Sequence, residues 1–255
     1  MASLKIKVLA LVVLLLLVPF VRAAENVYDV VAKALTPFTA LLAQRTEGLK
    51  KAVHARILIN AAEQPDGAVP VALDAEIWLE TPDKLKVRTL YIDQPITIWR
   101  DGQKLFAAPG GRIRALLEDR NRVQPPNPNA RLQPFALPIP DRQLPLLPAM
   151  LQVIDDREAQ DKAGVPLRVV DLQMMPEIAR NLGIEGFRAE ATINTTDYKL
   201  RRLRLTGSPY NGQIIFQSLD FSRNLPPEIF RPDPLADEDI VEISPAEFNQ
   251  LLQRR

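Results

Sequence analysis

The chain has no cysteine and a single histidine among its 255 residues. Without cysteine there is no disulfide, no thiolate nucleophile and no lipid-modified N-terminal cysteine of the bacterial lipoprotein kind. No His/Cys cluster has zinc spacing. A Ser/His hydrolase would have to be built on His54, which sits in the middle of an alternating strand pattern, and none of the four serines beyond residue 23 lies in a Gly-x-Ser-x-Gly elbow. The ten glycines form neither a dinucleotide-binding nor a phosphate-loop pattern. An excess of one charge is also missing, since 32 Lys and Arg stand against 31 Asp and Glu. Nothing here attracts nucleic acid or an anionic membrane surface.

Long apolar runs are scarce, and the one present is at the start. Lys5 and Lys7 precede an unbroken apolar stretch from Val8 to Val18, and Val21-Arg22-Ala23 supplies the spacing that signal peptidase accepts. The run meets Pro19 and Arg22 short of the roughly 20 apolar residues a membrane span needs. Residues 1–23 therefore read as a cleaved export signal rather than a permanent membrane anchor. Removing them leaves 29 basic and 31 acidic residues, a net charge of −2. Residues 24–255 are long enough to bury a core as one β-rich domain, whose stability rests on that core alone.

What is abundant is periodicity. Val27, Val30, Val31, Ala34, Leu35, Phe38, Leu41 and Leu42 recur at helical spacing, predicting an amphipathic helix from about Asn26 to Gln44 that Pro37 should kink or split. From Gly48 the period becomes 2. Val53, Ala55, Ile57 and Ile59 alternate with polar residues, as do Val71, Leu73, Ala75, Ile77 and Leu79 beyond a polar loop. Thr81-Pro82-Asp83-Lys84 turns the chain into Leu85, Val87 and Thr89. Ile96-Thr97-Ile98-Trp99 then meets Leu105-Phe106-Ala107 across Arg100-Asp101-Gly102-Gln103, where Asp-Gly predicts a two-residue type I′ turn. Sequential hairpins make an antiparallel meander.

A short helix is expected over Ile113 to Asp119. Gln124 to Pro148 then holds eight of the 23 prolines and reads as an extended surface insertion inside the domain. Leu144 to Ile154 suggests a short apolar helix. A second meander follows: Leu167 to Met174; Phe187, Ala189, Ala191 and Ile193; Leu200, Leu203 and Leu205; then Ile214 to Phe221. Ser244-Pro245-Ala246-Glu247 is a capping box opening a C-terminal helix to about Gln253.

The carboxylates at Asp155-Asp156-Glu158 and Asp237-Glu238-Asp239 could in principle meet Ca²⁺, but neither has the EF-hand loop, and solvated loops account for both. No cofactor is expected. The remaining feature is an apolar face of wide extent, carried by two meanders with few helices to cover it. Such faces pack together, close on a helix, or leave a cavity.

The segment Ile77-Trp78-Leu79-Glu80-Thr81-Pro82-Asp83-Lys84-Leu85-Lys86-Val87 and the hairpin Trp99-Arg100-Asp101-Gly102-Gln103-Lys104-Leu105 resemble the outer-membrane lipoprotein-carrier (LolA-like) family. So does Ile214-Ile215-Phe216 running through Asn224 and Pro226-Pro227 to Phe230-Arg231-Pro232. The family's usual ending is replaced here by Pro234-Leu235-Ala236-Asp237-Glu238-Asp239-Ile240-Val241. The resemblance implies a β-rich α+β fold: a curved antiparallel sheet, an unclosed half-barrel, with helices covering its concave apolar face. It further implies a periplasmic, non-enzymatic protein that holds lipid or lipoprotein acyl chains. On the alternation, Ile57, Ile59, Leu73, Ala75, Ile77, Leu79, Leu85, Val87, Ile96 and Ile98 point to that face and are the candidate lipid-binding residues. The alternative is an envelope protein-interaction module on the same fold with a filled core, and a weaker third class is a hydrolase using His54.

Overall fold

In the computed structural model, the described residues are 25–42, 51–61, 72–91, 94–121, 130–132, 141–182, 186, 188–207, 211–222, 224–233 and 239–252. The expected export signal, residues 122–129 and 133–140 of the Pro-rich insertion, and the turn at 208–210 lie outside them.

Helix α1 runs Val27–Leu42. Asn26 starts it, its Oδ1 accepting from the Tyr28 backbone N–H at 3.0 Å. Pro37 lies inside the helix, which continues as one element, so of the expected kink or split the split does not occur. The Thr36 hydroxyl donates to the Ala32 carbonyl at 2.7 Å, one turn back, beside the place where Pro37 removes a backbone donor.

The strands are β1 (Ala52–Ala61), β2 (Ala72–Glu80), β3 (Lys84–Tyr91), β4 (Gln94–Asp101) and β5 (Lys104–Ala108), then β6 (Leu151–Gln160), β7 (Pro166–Met174), β8 (Arg188–Asn194), β9 (Leu200–Thr206), β10 (Gly212–Ser222) and β11 (Val241–Glu242). They form one antiparallel sheet in the order β11-β5-β4-β3-β2-β1-β10-β9-β8-β7-β6. Each meander is a run of neighbours. The two join where β1 pairs with β10, Val53 opposite Phe221 and Ala55 opposite Leu219. The outer strands, β11 and β6, do not pair with each other, so the curved sheet stays an unclosed half-barrel.

Helix α2 (Gly110–Asn121) follows β5, α3 (Pro176–Leu182) follows β7, and α4 (Pro245–Leu252) ends the described chain. The capping box of α4 is formed as expected: Glu247 N–H donates to Ser244 Oγ at 3.2 Å and Ser244 N–H to Glu247 Oε2 at 2.6 Å. In the β4–β5 hairpin the turn is shifted by one residue. Asp101 pairs with Lys104, so Gly102 and Gln103 are central, and Gly102 alone of the two has positive φ, +65°. That is the pattern of a II′ turn with glycine first, not the expected I′ turn centred on Asp-Gly.

A larger correction concerns residues 141–160. The short helix expected within Leu144 to Ile154 is a 3-10 helix over Asp141–Met150, and Leu151–Gln160, where no strand was expected, is a strand. The charges Asp155, Asp156, Arg157 and Glu158 hide the alternation because β6 is an edge strand, where charge is tolerated and guards against further pairing.

Candidate functional site

Directly opposed residues in an antiparallel pair share a face, so the registers trace rows across the sheet. One row runs Leu219, Ala55, Ile77, Val87, Ile98, Ala107, Val241 through seven strands. A second runs Phe221, Val53, Leu79, Leu85, Arg100, Leu105, and a third Phe216, Ile57, Ala75, Thr89, Ile96. With Ile59 opposite Leu73, all ten candidate residues lie on one face.

That face is covered from two sides. Val30, Val31, Ala34 and Leu41 of α1 form one core cluster with Val53, Ala55, Ile57, Ala75, Val170, Leu172, Ala191, Ile193, Leu200 and Leu219. Phe38 sits between Phe216 and Phe221, its ring centroid 4.9 Å from that of Phe221 and 6.4 Å from that of Phe216. Each large aliphatic side chain fully buried in this way contributes about 1.5–3 kcal/mol relative to exposure. A second cluster joins Ile96, Leu105, Ala107, Val241 and Ile243 to Ile113 and Leu117 of α2 and Phe248 of α4. Asp239 fastens α2 there: its carboxylate accepts from Gly111 N–H at 2.7 Å, and its carbonyl accepts from Gly110 N–H. A Cβ at Gly110 would come 2.9 Å from that carbonyl, so glycine is required by close approach.

Between the two coverings lies a strip that is only half-covered: Ile59, Leu73, Ile77 and Leu79 pack against the first cluster and Ile98 against the second. Along the first row Ala55 is 7% exposed and Ala107 0%, yet Ile77, Val87 and Ile98 between them are only half-buried. Leu79 and Leu85 are half-buried in the second row, and Leu73 and Ile59 at the far end. Among the described residues, Leu85 and Val87 belong to neither cluster. On β2 the half-buried stretch Ile77 to Leu79 is about 7 Å long, because Ala75 next to it is buried, and β2 to β4 make it about 10 Å wide. Of the ten candidates, Ile57, Ala75 and Ile96 are buried in the flanking cores, and the other seven are half-buried.

Two polar residues lie on this face, Thr89, which the alternation had aligned with Leu85 and Val87, and Arg100, which went unsuspected in the sequence. Thr89 is tied back by donating from Oγ1 to the Asp74 carbonyl at 2.9 Å. Arg100 is 3% exposed, opposite Leu85 and Leu105, with Nε donating to the Gly102 carbonyl at 2.9 Å. Burial pulls its pKa below the ordinary guanidinium value, with Asp83 opposing.

The other face is chemically different. His54 lies flat against Trp78, ring centroids 4.9 Å apart and planes 8° from parallel, and its Nε2 is 2.9 Å from Glu76 Oε1. Lys86 lies over Trp78 at 5.1 Å and over Trp99 at 5.7 Å. Among the described residues, the side-chain partners of His54 are Glu76 and Trp78 of the adjacent strand β2. The suspected carboxylate clusters are engaged elsewhere. Asp155 pairs with Arg157 at 3.1 Å, and Asp156 holds Arg168 through both oxygens. Asp237 and Glu238 lie outside the described residues.

A cavity of about 890 Å³ lies not on the strip but at the rim of the sheet, lined by Glu25, Glu158, Arg168, Thr196 and Tyr198 among others. Its walls are as polar as they are apolar. No described helix is long and apolar enough to cross a membrane.

No family model matches the chain, and no curated protein matches it by sequence. Solved structures do. The Pseudomonas aeruginosa MucA/MucB complex matches at 13% identity and TM-score 0.37, over 80% of this chain and 61% of that one, so this chain spans about three fifths of its length. A putative outer membrane lipoprotein-sorting protein domain from Vibrio parahaemolyticus matches at 10% identity and TM-score 0.30, covering 80% of this chain and 95% of that one. A LolA superfamily protein from Nitrosomonas europaea matches at 13% identity and TM-score 0.30, covering 82% and 99%. Likenesses this low stand beside the site geometry without carrying it.

Proposed function

We propose that this chain is a periplasmic, non-enzymatic binding protein that holds the acyl chains of lipids or lipoproteins on the apolar strip of β2, β3 and β4. One observation carries the reading: Ile77, Val87 and Ile98 are half-buried in a row whose two ends are closed over by helices. A folded chain that leaves an apolar strip half-covered between two packed cores forgoes burial that folding would otherwise take, and an apolar ligand restores it. Export follows from the reading of residues 1–23, and the neutral net charge agrees with a site that works by apolar contact rather than by steering ions.

The filled core around Leu105, Ala107 and Ile113 favours a second reading for that end of the sheet, an envelope protein-interaction module in which the same face has no room for lipid. Native mass spectrometry of the exported protein separates the two. A co-purifying mass of acyl-lipid size supports the binding reading. A clean apo mass after gentle extraction, together with failure to take up added fatty acid, leaves the interaction module.

A further inference from the structure

We infer that a cleft between Ile154, Arg188, Arg204 and Thr206, on the face of the sheet turned away from the apolar strip, is a binding site for a phosphate group. This inference goes beyond the acyl-binding reading and does not depend on it.

The strand registers bring the donors together. In the β8–β9 pair Arg188 stands opposite Thr206 and Glu190 opposite Arg204, and in the β7–β8 pair Asp171 stands opposite Glu190. These residues share the outer face, while the intervening Leu172 and Ala189 belong to the main core. Strand β6 supplies a wall. Its register shifts between Val153 and Asp155, so Ile154 is the extra residue of a β-bulge, and it stands exposed at the edge of the cleft. The cleft measures about 210 Å³. A water takes roughly 30 Å³ of the liquid, so a phosphate group and its ester link have room there.

Charge pairing on this face leaves two cations over. Glu190 is the cross-strand neighbour of Arg204, yet both its oxygens are taken: Oε1 accepts from Arg202 and Oε2 from Arg157, each at 3.0 Å. Arg157 also meets Asp155 at 3.1 Å and Asp171 at 3.9 Å. The carboxylates around the cleft are therefore already neutralised. Among the described residues, Arg188 and Arg204 have no ion-pair partner, and both are exposed. Arg157, Arg188, Arg202 and Arg204 together outnumber Asp155, Asp171 and Glu190, a local excess on a chain of near-zero net charge. Glu190 already shows two guanidinium groups holding one anion here. A phosphate offers more oxygens than a carboxylate and takes both free forks and the Thr206 hydroxyl at once. Ile154 keeps water from one side, which strengthens the attraction.

Calorimetric titration of the full exported protein with inorganic phosphate at low salt tests the site. Saturable binding is expected, weakened roughly tenfold by Arg188→Gln and by Arg204→Gln, the effect of losing one hydrogen bond to a charged group. Neither variant should lower the melting temperature without phosphate, because neither arginine holds another residue. Arg56→Gln, on β1 and paired with Asp74 away from the cleft, removes the same charge and should leave binding unchanged. Flotation with vesicles of phosphatidylcholine, alone or mixed with phosphatidic acid, separates the sources of the phosphate. Retention that needs phosphatidic acid and is lost in Arg188→Gln identifies a lipid headgroup, and phosphate binding without such retention identifies the free ion. No saturable binding in either arm, binding that survives both cleft variants, or equal weakening by Arg56→Gln would overturn the inference, since the two arginines would then be no more than solvated surface.

Discussion

Val87 stands directly opposite Ile98 across the β3–β4 pair, both half-buried, while Leu105, one row along the same face, is completely buried. The apolar face therefore changes from open to packed within two strands. A charge placed on each side of that border should give opposite results. Val87→Glu can turn its carboxylate to water and should cost at most about 2 kcal/mol. Leu105→Glu strands an unpaired charge in a closed core and should cost several kcal/mol, enough to unfold the chain. Thermal melting of the two variants checks this, and equal destabilisation would mean that the strip is as closed as its neighbour.

His54→Ala should cost about 1 kcal/mol or less, because it removes a stacked contact with Trp78 and one partly exposed bond to Glu76. Binding of an apolar probe should not change. A hydrolytic activity present in the wild-type protein and lost in the folded variant would return the enzyme class.

Asp239→Ala removes the acceptor of the Gly111 N–H at the start of α2 and places alanine at φ +55°. The expected loss is about 1–2 kcal/mol by denaturant melting. Asp239→Asn keeps an acceptor in a residue that tolerates this conformation and should lose much less. If Ca²⁺ addition instead rescued the wild type from unfolding by tens of degrees, this carboxylate would be a ligand rather than a cap.

Acidification should loosen α1 before the sheet. The bond from Lys33, followed in importance by the Tyr198 phenol among the attractive contacts, holds the Glu25 carboxyl below its ordinary value, against a desolvation effect that raises it. Its contribution is therefore complete above the unfolded carboxylate pKa and is lost as pH falls through the lower folded one. Lys33 is raised by the same bond, so its share persists through neutral pH and is lost only as pH rises through its elevated value. The other charged groups facing the site are Arg168 on β7 and Asp156 and Glu158 on β6. Exchange at amides 29–36, corrected for intrinsic rate and compared with 53–59, should rise as pH falls below the ordinary carboxylate range. Parallel behaviour of the two segments would remove Glu25 from the account.

Much of this was legible in the residues. Alternation over Val53–Ile59 and Leu73–Leu79 set the strand faces, and a shift of one residue would have turned Leu73 and Ile77 to the opposite side. The box at Ser244 and Glu247 announced its helix. Strand β6 was not legible, because Asp155 to Glu158 are charged on both faces at an edge. The pairing of β1 with β10 joins residues more than 150 apart, as with Ala55 and Leu219, and no local pattern encodes it. The half-open state of Val87 was beyond reach for the same reason. It depends on where α1, α2 and α4 come to rest, whereas the sequence marks Val87 and the buried Val53 alike as apolar members of alternating strands.

The most direct test of the central claim is titration of the exported protein with a fluorescent fatty acid, run beside Val87→Glu. The account predicts saturable uptake by the wild type, displaced by unlabelled fatty acid, and its loss in a variant that still melts cooperatively, since each methylene driven off the strip forfeits about 0.8 kcal/mol. No uptake by the wild type, or undiminished uptake by a folded Val87→Glu protein, would contradict it.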